Sequence, residues 1–309
     1  MKTLRLLTAL IFFGFGQASI WAANHSLAYV LQAENLYANR AQAVRGLAGS
    51  GRDWLVLDPQ FSENERWSRS DLATLRLARP GRKILAYISI GEAENYRPYW
   101  QADWTIGGTP STTAPDWLLA ENPDWPGNFK VKFWSPAWQQ IILSAVDAAM
   151  AQGFDGVYLD IVDAFEFFEQ SGTDFIDNRI NPETGESYRR DMVAWVRQIA
   201  RRVRMAKRGA LVVPQNGEVL LTIPTFLNTV SGMGVEDLFT DTNRLQLRSE
   251  TNYRRSFLQK LLARNKPVLD IEYPTLTSRK AFVRQQAHAA GFTWLITDRD
   301  LRTLGTSGH

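Results

Sequence analysis

Eight short runs of nearly continuous apolar residues recur along the chain, and longer stretches of helical spacing separate them. The runs are LAYVLQ (27–32), WLVLD (54–58), ILAYISIGE (84–92), GVYLD (156–160), ALVVPQN (210–216), GMGVED (232–237), PVLDIEY (267–273) and TWLIT (293–297). Runs with so little polar alternation fit strands covered on both faces, as in a parallel sheet. The stretches between them carry helix signals. Ser135–Pro136 reads as an N-cap with proline at the first helical position, and Gly153 as the stop. Residues 186–208 put Met192, Val196, Ile199, Val203 and Ala206 on one stripe, and Thr277 and Gly291 bracket another helix. Eight strand–helix units predict an α/β protein, a (β/α)8 TIM barrel in a single domain. A doubly wound open sheet is the alternative, although no G-x-G-x-x-G follows the first run.

The first 23 residues read differently. Lys2 and Arg5 precede an apolar core over residues 6–15, and small residues follow, ending at Ala22 and Ala23. This pattern predicts a signal peptide over 1–23 and a domain over 24–309, hence a secreted or periplasmic protein. The core is too short for a membrane span, and no later stretch is apolar enough, so no span is expected in the mature chain. The formal net charge of +3 loses two cations with the leader and falls to about +1. The arginine-rich stretch YRRDMVAWVRQIARRVRMAKR has an apolar stripe opposite its cations, as an outer barrel helix would. No nucleic-acid partner is expected.

The chain has no cysteine, which excludes a disulfide scaffold. Its three histidines are His25, His288 and His309. A zinc set of His and Cys has little to draw on, and a Ser-His-Asp triad would need His288 from within a helix. Acid–base chemistry therefore falls to carboxylates, with no metal or cofactor expected.

Barrel sites lie at the carboxyl ends of the strands. Those ends carry Gln32, Asp58, Glu92 with Glu94, Asp160 with Asp163, Gln215–Asn216 with Glu218, Glu236 with Asp237, Glu272–Tyr273, and Asp298. Single loop acids are usually just solvated, but acids after successive strands predict a shared acidic pocket. Two carboxylates can divide glycoside cleavage between them, and their neighbours would attract a cationic or hydroxyl-rich ligand. Crowding also raises carboxyl pKa values and keeps a proton on the acid near neutrality. After the third run comes a long insertion, about residues 93–134, with Tyr96, Tyr99, Trp100, Trp104, Trp117, Trp125 and, at its end, Trp134. These rings can form a subsite wall or a small core of their own, and one or two are expected to touch ligand.

The segments ILAYISIGEAENYRPYW, GFDGVYLDIVDAF, VVPQNGE, GVEDLF and LDIEYP occur in that order at strand ends. Together they resemble glycoside hydrolase family 114, the endo-α-1,4-polygalactosaminidase-like barrels, over about residues 28–300. The resemblance implies an extracytoplasmic hydrolase of a polysaccharide, a cationic α-1,4-linked galactosamine polymer, with no metal. It implies Asp160 as nucleophile and Glu218 as general acid/base. It places Asp58, Tyr87, Glu92, Asp163, Gln215, Asn216, Glu236, Glu272 and Tyr273 around the substrate. Two other readings use the same residues. One is a non-catalytic barrel that binds exopolysaccharide. The other is a carbohydrase for another α-galactoside or amino-sugar polymer.

Overall fold

The structure, a computed structural model, describes residues 25–309, and the expected leader over residues 1–23 lies outside them. All eight apolar runs are strands: β1 Leu27–Val30, β2 Trp54–Leu57, β3 Lys83–Ser89, β4 Gly156–Asp160, β5 Leu211–Pro214, β6 Met233–Glu236, β7 Val268–Glu272 and β8 Thr293–Ile296. The main helices between them are α1 Arg40–Gly49, α2 Arg69–Leu77, α3 Pro136–Gln152, α4 Tyr188–Ala206, α5 Pro224–Thr229, α6 Arg248–Leu262 and α7 Thr277–Ala290. Each follows its strand, as the crossover connections of a parallel sheet require.

β1 to β5 form one parallel sheet in sequence order, and β6 to β8 continue the order in a second. A single parallel bridge, Gln215 with Gly234, joins the two, supported by Ser231 N donating to Val212 O at 2.7 Å. This is the strand order of a (β/α)8 barrel. The ladder is not continuous all the way round. At the seam between β8 and β1, a short strand β9 (Thr306–Gly308) runs antiparallel to β8, and Ser307 Oγ accepts from Leu27 N at 2.8 Å.

Because side chains alternate along a strand, every second residue enters the barrel. The interior core holds Leu27 and Tyr29 of β1, Trp54 and Val56 of β2, Leu85 and Tyr87 of β3, Tyr158 of β4, Val213 of β5, Leu269 and Ile271 of β7 with Tyr273 just beyond it, and Leu295 of β8. β6 contributes Gly234, whose lack of a side chain is required. A Cβ there would lie 1.7 Å from the Tyr158 hydroxyl. The alternate residues, such as Val157, Leu159, Val212 and Val235, pack outward against the helices.

Helix signals survive with one change. Gly153 and Gly291 close α3 and α7 in left-handed conformations, φ 106° and 72°. Ser135 caps α3 by position alone, since its side chain makes no capping bond. The arginine-rich stretch is the outer helix α4. It buries Met192, Val193, Trp195, Val196, Ile199, Ala200 and Val203, while Arg202 pairs with Asp147 of α3. No helix among the described residues is long and apolar enough to cross a membrane.

The insertion after β3 forms a three-stranded antiparallel sheet from Glu92–Glu94, Leu118–Glu121 and Asn128–Val131. Trp104 and Trp117 are buried 5.3 Å apart, centroid to centroid, and Trp117 meets Trp138 of α3 at 5.0 Å. Most of its aromatic residues therefore make a core that fixes the insertion to the barrel. Tyr96 and Trp125 remain 55% and 46% exposed.

Candidate functional site

At the carboxyl end of the strands lies a cavity of about 650 Å³. Its wall includes Asp58, Tyr87, Asp160, Asp163, Gln215, Asn216, Glu236 and Tyr273, all expected from the sequence, and Tyr96 and Trp125 of the insertion also face it. Three expected residues are elsewhere, and the strand period explains one of them directly. Tyr273 points inward, so Glu272 points out. Glu272 is fully buried and accepts from Phe239 N at 2.6 Å and Thr240 N at 3.0 Å, which fastens the loop after β6. Glu92 pairs with Lys130 at 3.2 Å and Asn122 at 2.9 Å inside the insertion sheet.

Glu218, the expected proton donor, also lies off the cavity wall. Beyond β5 and Gln215 come two consecutive left-handed residues, Asn216 at φ 57° and Gly217 at φ 68°, and Glu218 opens the tight helical turn that follows. That reversal carries its side chain to α6, where Oε1 accepts from Arg254 Nε at 3.0 Å and Nη2 at 2.6 Å. The same guanidinium donates to the carbonyls of Glu236 and Asp237, at 3.1 and 3.3 Å. Through Arg254, Glu218 is tied to α6 and to the backbone at the end of β6. A buried pair of this kind is costly to break by halves, about 3–5 kcal/mol, because the remaining charge is stranded.

Two carboxyls face the cavity from β4 and β6. Asp160 is the last residue of β4, on the inward side. Tyr87 donates to its Oδ2 at 2.7 Å, and Ile161 N to its Oδ1 at 2.9 Å. Ile161 itself is left-handed, φ 55°, a conformation β-branched residues seldom adopt, so the chain turns sharply just after Asp160. Enclosure by the barrel mouth raises the Asp160 pKa to about 6, the hydrogen bonds from Tyr87 and Ile161 oppose the rise, and Glu94 and Glu92 add to it. Glu236 ends β6 and accepts from the Tyr273 hydroxyl, while its own N–H donates to Asn216 Oδ1 at 3.1 Å. Desolvation raises its pKa to about 7, with the Asp160 charge adding to the shift. Repulsion between the two is mutual. It falls on Glu236 because Asp160 ionises first and Glu236 must then lose its proton beside a charge.

The other acids are differently occupied. Asp58 and Glu94 grip Arg97 from two sides, at 2.7 and 2.5 Å, so this cation stands on the cavity wall already neutralised. Asp163, on the turn after β4, is pushed well above the usual carboxylate range by desolvation and by Glu166, Asp160 and Glu218. Arg97 and Arg299 line the cavity and were not foreseen. Arg97 lies within the quoted segment ENYRPYW and Arg299 follows the strand-end Asp298, but neither position by itself predicts an inward cation. No cluster of three or more potential metal ligands occurs among the described residues.

Between the two values, about 6 and about 7, the ends of β4 and β6, the strands that flank β5, present an ionised and a protonated carboxyl to this cavity. Comparison with known proteins agrees with the architecture. The glycoside hydrolase domain of PelA from Pseudomonas aeruginosa has a similar structure, with TM-score 0.61 and 19% identity over 92% of this chain and 98% of that one. Ega3 of Aspergillus fumigatus, crystallised with galactosamine, gives 0.60 and 19% over 89% and 91%. At such identities the likeness concerns the fold. An uncharacterised protein of Deinococcus radiodurans is 36% identical over 251 residues, 81% of this chain and 74% of that protein. The family model for Glycoside-hydrolase family GH114 matches residues 56–308, which include the end of β2, all of β3 through β8 and every cavity carboxyl named above. With the family model spanning most of the chain and the relative this close, the chain belongs to glycoside-hydrolase family GH114.

Proposed function

We propose that the protein cleaves an amino-sugar polysaccharide of the α-1,4-galactosamine type outside the cytoplasm, with Asp160 as nucleophile and Glu236 as general acid/base. The observation that carries the reading is the pair itself. Asp160 and Glu236 share one cavity, with pKa values raised to about 6 and about 7, so one is charged and one protonated between those values. Glu218, tied to Arg254 and off the wall, is assigned the supporting role described above.

In the first step, Asp160 attacks the anomeric carbon as the glycosidic C–O bond breaks. Glu236 gives its proton to the departing oxygen. In the second, water attacks the same carbon, Glu236 takes its proton, and the bond to Asp160 breaks to release the sugar and restore both carboxyls. Tyr87 and the Ile161 amide hold the Asp160 oxygens in place, so orientation is prepaid before substrate arrives. The cationic substrate is supported by the excess of cavity acids. Glu34, Asp58, Glu63, Asp160 and Asp300 line it against Arg97 and Arg299, with Asp163 and Glu236 adding hydrogen-bonding carboxyls whose pKa values are raised. Galactosamine in the Ega3 crystal is consistent with this choice.

The test is the product anomer and the variants. Proton NMR during hydrolysis should show retained configuration in the first-formed product. Inversion would remove Asp160 from the nucleophile role and leave it as a base.

A further inference from the structure

Glu236 stands beside the charge of Asp160, which pushes its proton affinity up. A proton donor must release its proton as the bond breaks, so something has to limit that rise. The residues around Glu236 suggest what does. Directly after it, Asp237 turns left-handed at φ 49°. Its carboxylate meets Arg299, on the loop after β8, in a two-pronged ion pair at 3.0 and 2.9 Å. The Arg299 guanidinium lies 4.3 Å from the centroid of the Tyr273 ring. The Tyr273 hydroxyl donates to Glu236 Oε1. The chain of contacts leaves Glu236 through the backbone and returns to its side chain through the phenol.

Resting on the assignment of Glu236 as proton donor, we propose that Arg299 is a positioning residue for it, acting through Asp237 and the ring of Tyr273. A cation on the ring face draws electron density from the phenol and makes its O–H a stronger donor. A stronger bond to the ionised carboxylate lets Glu236 give up its proton sooner. The ion pair with Asp237 keeps the guanidinium over the ring and also cancels a negative charge next to Glu236. Arginine suits both tasks, because a planar fork can bind a carboxylate edge-on while its face stacks. The other groups facing Glu236 are Asp160 and Tyr158 of β4 and Tyr29 of β1, and Arg254 of α6 reaches its carbonyl. Of the cations, Arg299 alone among these touches the phenol that bonds the carboxyl.

The experiment reads the titration of Glu236 directly, independent of turnover, by carboxyl carbon NMR of protein labelled at glutamate. The resonance is assigned as the one missing in Glu236→Gln. Arg299→Gln should raise the Glu236 midpoint by about half a pH unit or more, a discount on the full effect because the arginine is partly exposed. Arg299→Lys should fall between, and in a Tyr273→Phe background the Arg299→Gln shift should shrink to less than half. The alkaline limb of kcat/KM should move by the same amount as the NMR midpoint. An unchanged midpoint in Arg299→Gln, or an equal shift with and without the Tyr273 hydroxyl, overturns the proposal. If the NMR midpoint moves while the alkaline limb does not, the relay stands and Glu236 is not the proton donor.

Discussion

Removing the Tyr87 hydroxyl changes one atom and reports on the nucleophile. The hydroxyl donates to Asp160 Oδ2 at 2.7 Å and favours its ionised form. A hydrogen bond to a charged group contributes about 1.5–3 kcal/mol, and each pKa unit is about 1.4 kcal/mol. Tyr87→Phe should therefore raise the Asp160 value from about 6 by about one unit or somewhat more. The active form has Asp160 ionised and Glu236 protonated, so activity falls below the first value and above the second. With values of about 6 and about 7, the wild-type profile of kcat/KM is a bell centred near pH 6.5 with about 60% of the enzyme active. Moving the lower value to about 7 cuts the peak about two-fold but the rate at pH 5.5 about eight-fold. The acid limb moves toward neutrality and the alkaline limb stays. The assay is initial-rate hydrolysis of a soluble galactosamine oligosaccharide from pH 4 to 9. An equal loss at every pH would mean that Tyr87 binds sugar without tuning Asp160. An unshifted acid limb with full activity would refute the reasoning.

Three further outcomes follow from particular contacts. Trp125, half exposed on the cavity wall, should act as a sugar platform. Trp125→Ala should raise KM about ten-fold with kcat nearly unchanged, as expected when a contact of about 1.4 kcal/mol serves substrate and transition state alike. Gly234→Ala should lower the melting temperature by several degrees, because its Cβ collides with the Tyr158 hydroxyl and overpacking costs about 1–3 kcal/mol or more. Asp270, buried on the outward side of β7 with both oxygens unpartnered, has its pKa raised well above normal by desolvation and by Glu272. Its raised folded-state value favours folding at low pH and opposes it as pH rises past the unfolded value of about 4. Thermal melts of Asp270→Asn should show a smaller loss between pH 5 and pH 8 than the wild type.

The strands were legible because a strand covered on both faces has little choice but continuous apolar residues, and each of the eight runs became one. Asp160 was legible as the polar end of such a run. The ranking among the other carboxyls was not, although part of it was available in the strand period. Tyr158 and Asp160 share a face, as do Ile271 and Tyr273, so Asp270 and Glu272 had to face the helices. Counting by twos would have separated Glu236 from Glu272. Glu218 needed more than that. Its direction depends on two left-handed residues before it, and its partner Arg254 lies 36 residues further on, in a helix with no local mark of that contact. For the insertion the sequence left a subsite wall and a small core as alternatives, because ring content alone does not say which rings are covered; Trp104 and Trp117 are sealed while Tyr96 and Trp125 are open. The seam at β8 and β1 was invisible, because the Thr306–Gly308 strand is three residues long, holds no apolar residue and has only Thr306 of a β-favouring type.

The most direct measurement is a reducing-end assay of the protein on de-N-acetylated α-1,4-galactosamine polymer, beside Asp160→Asn, Glu236→Gln and Glu218→Gln. The account predicts cleavage by the wild type. It predicts losses of about 10²–10⁴-fold or more in the first two variants, and a smaller loss in Glu218→Gln with its pH limbs in place. Full activity in Glu236→Gln with a dead Glu218→Gln would contradict it and return the proton donor to the residue that Arg254 holds.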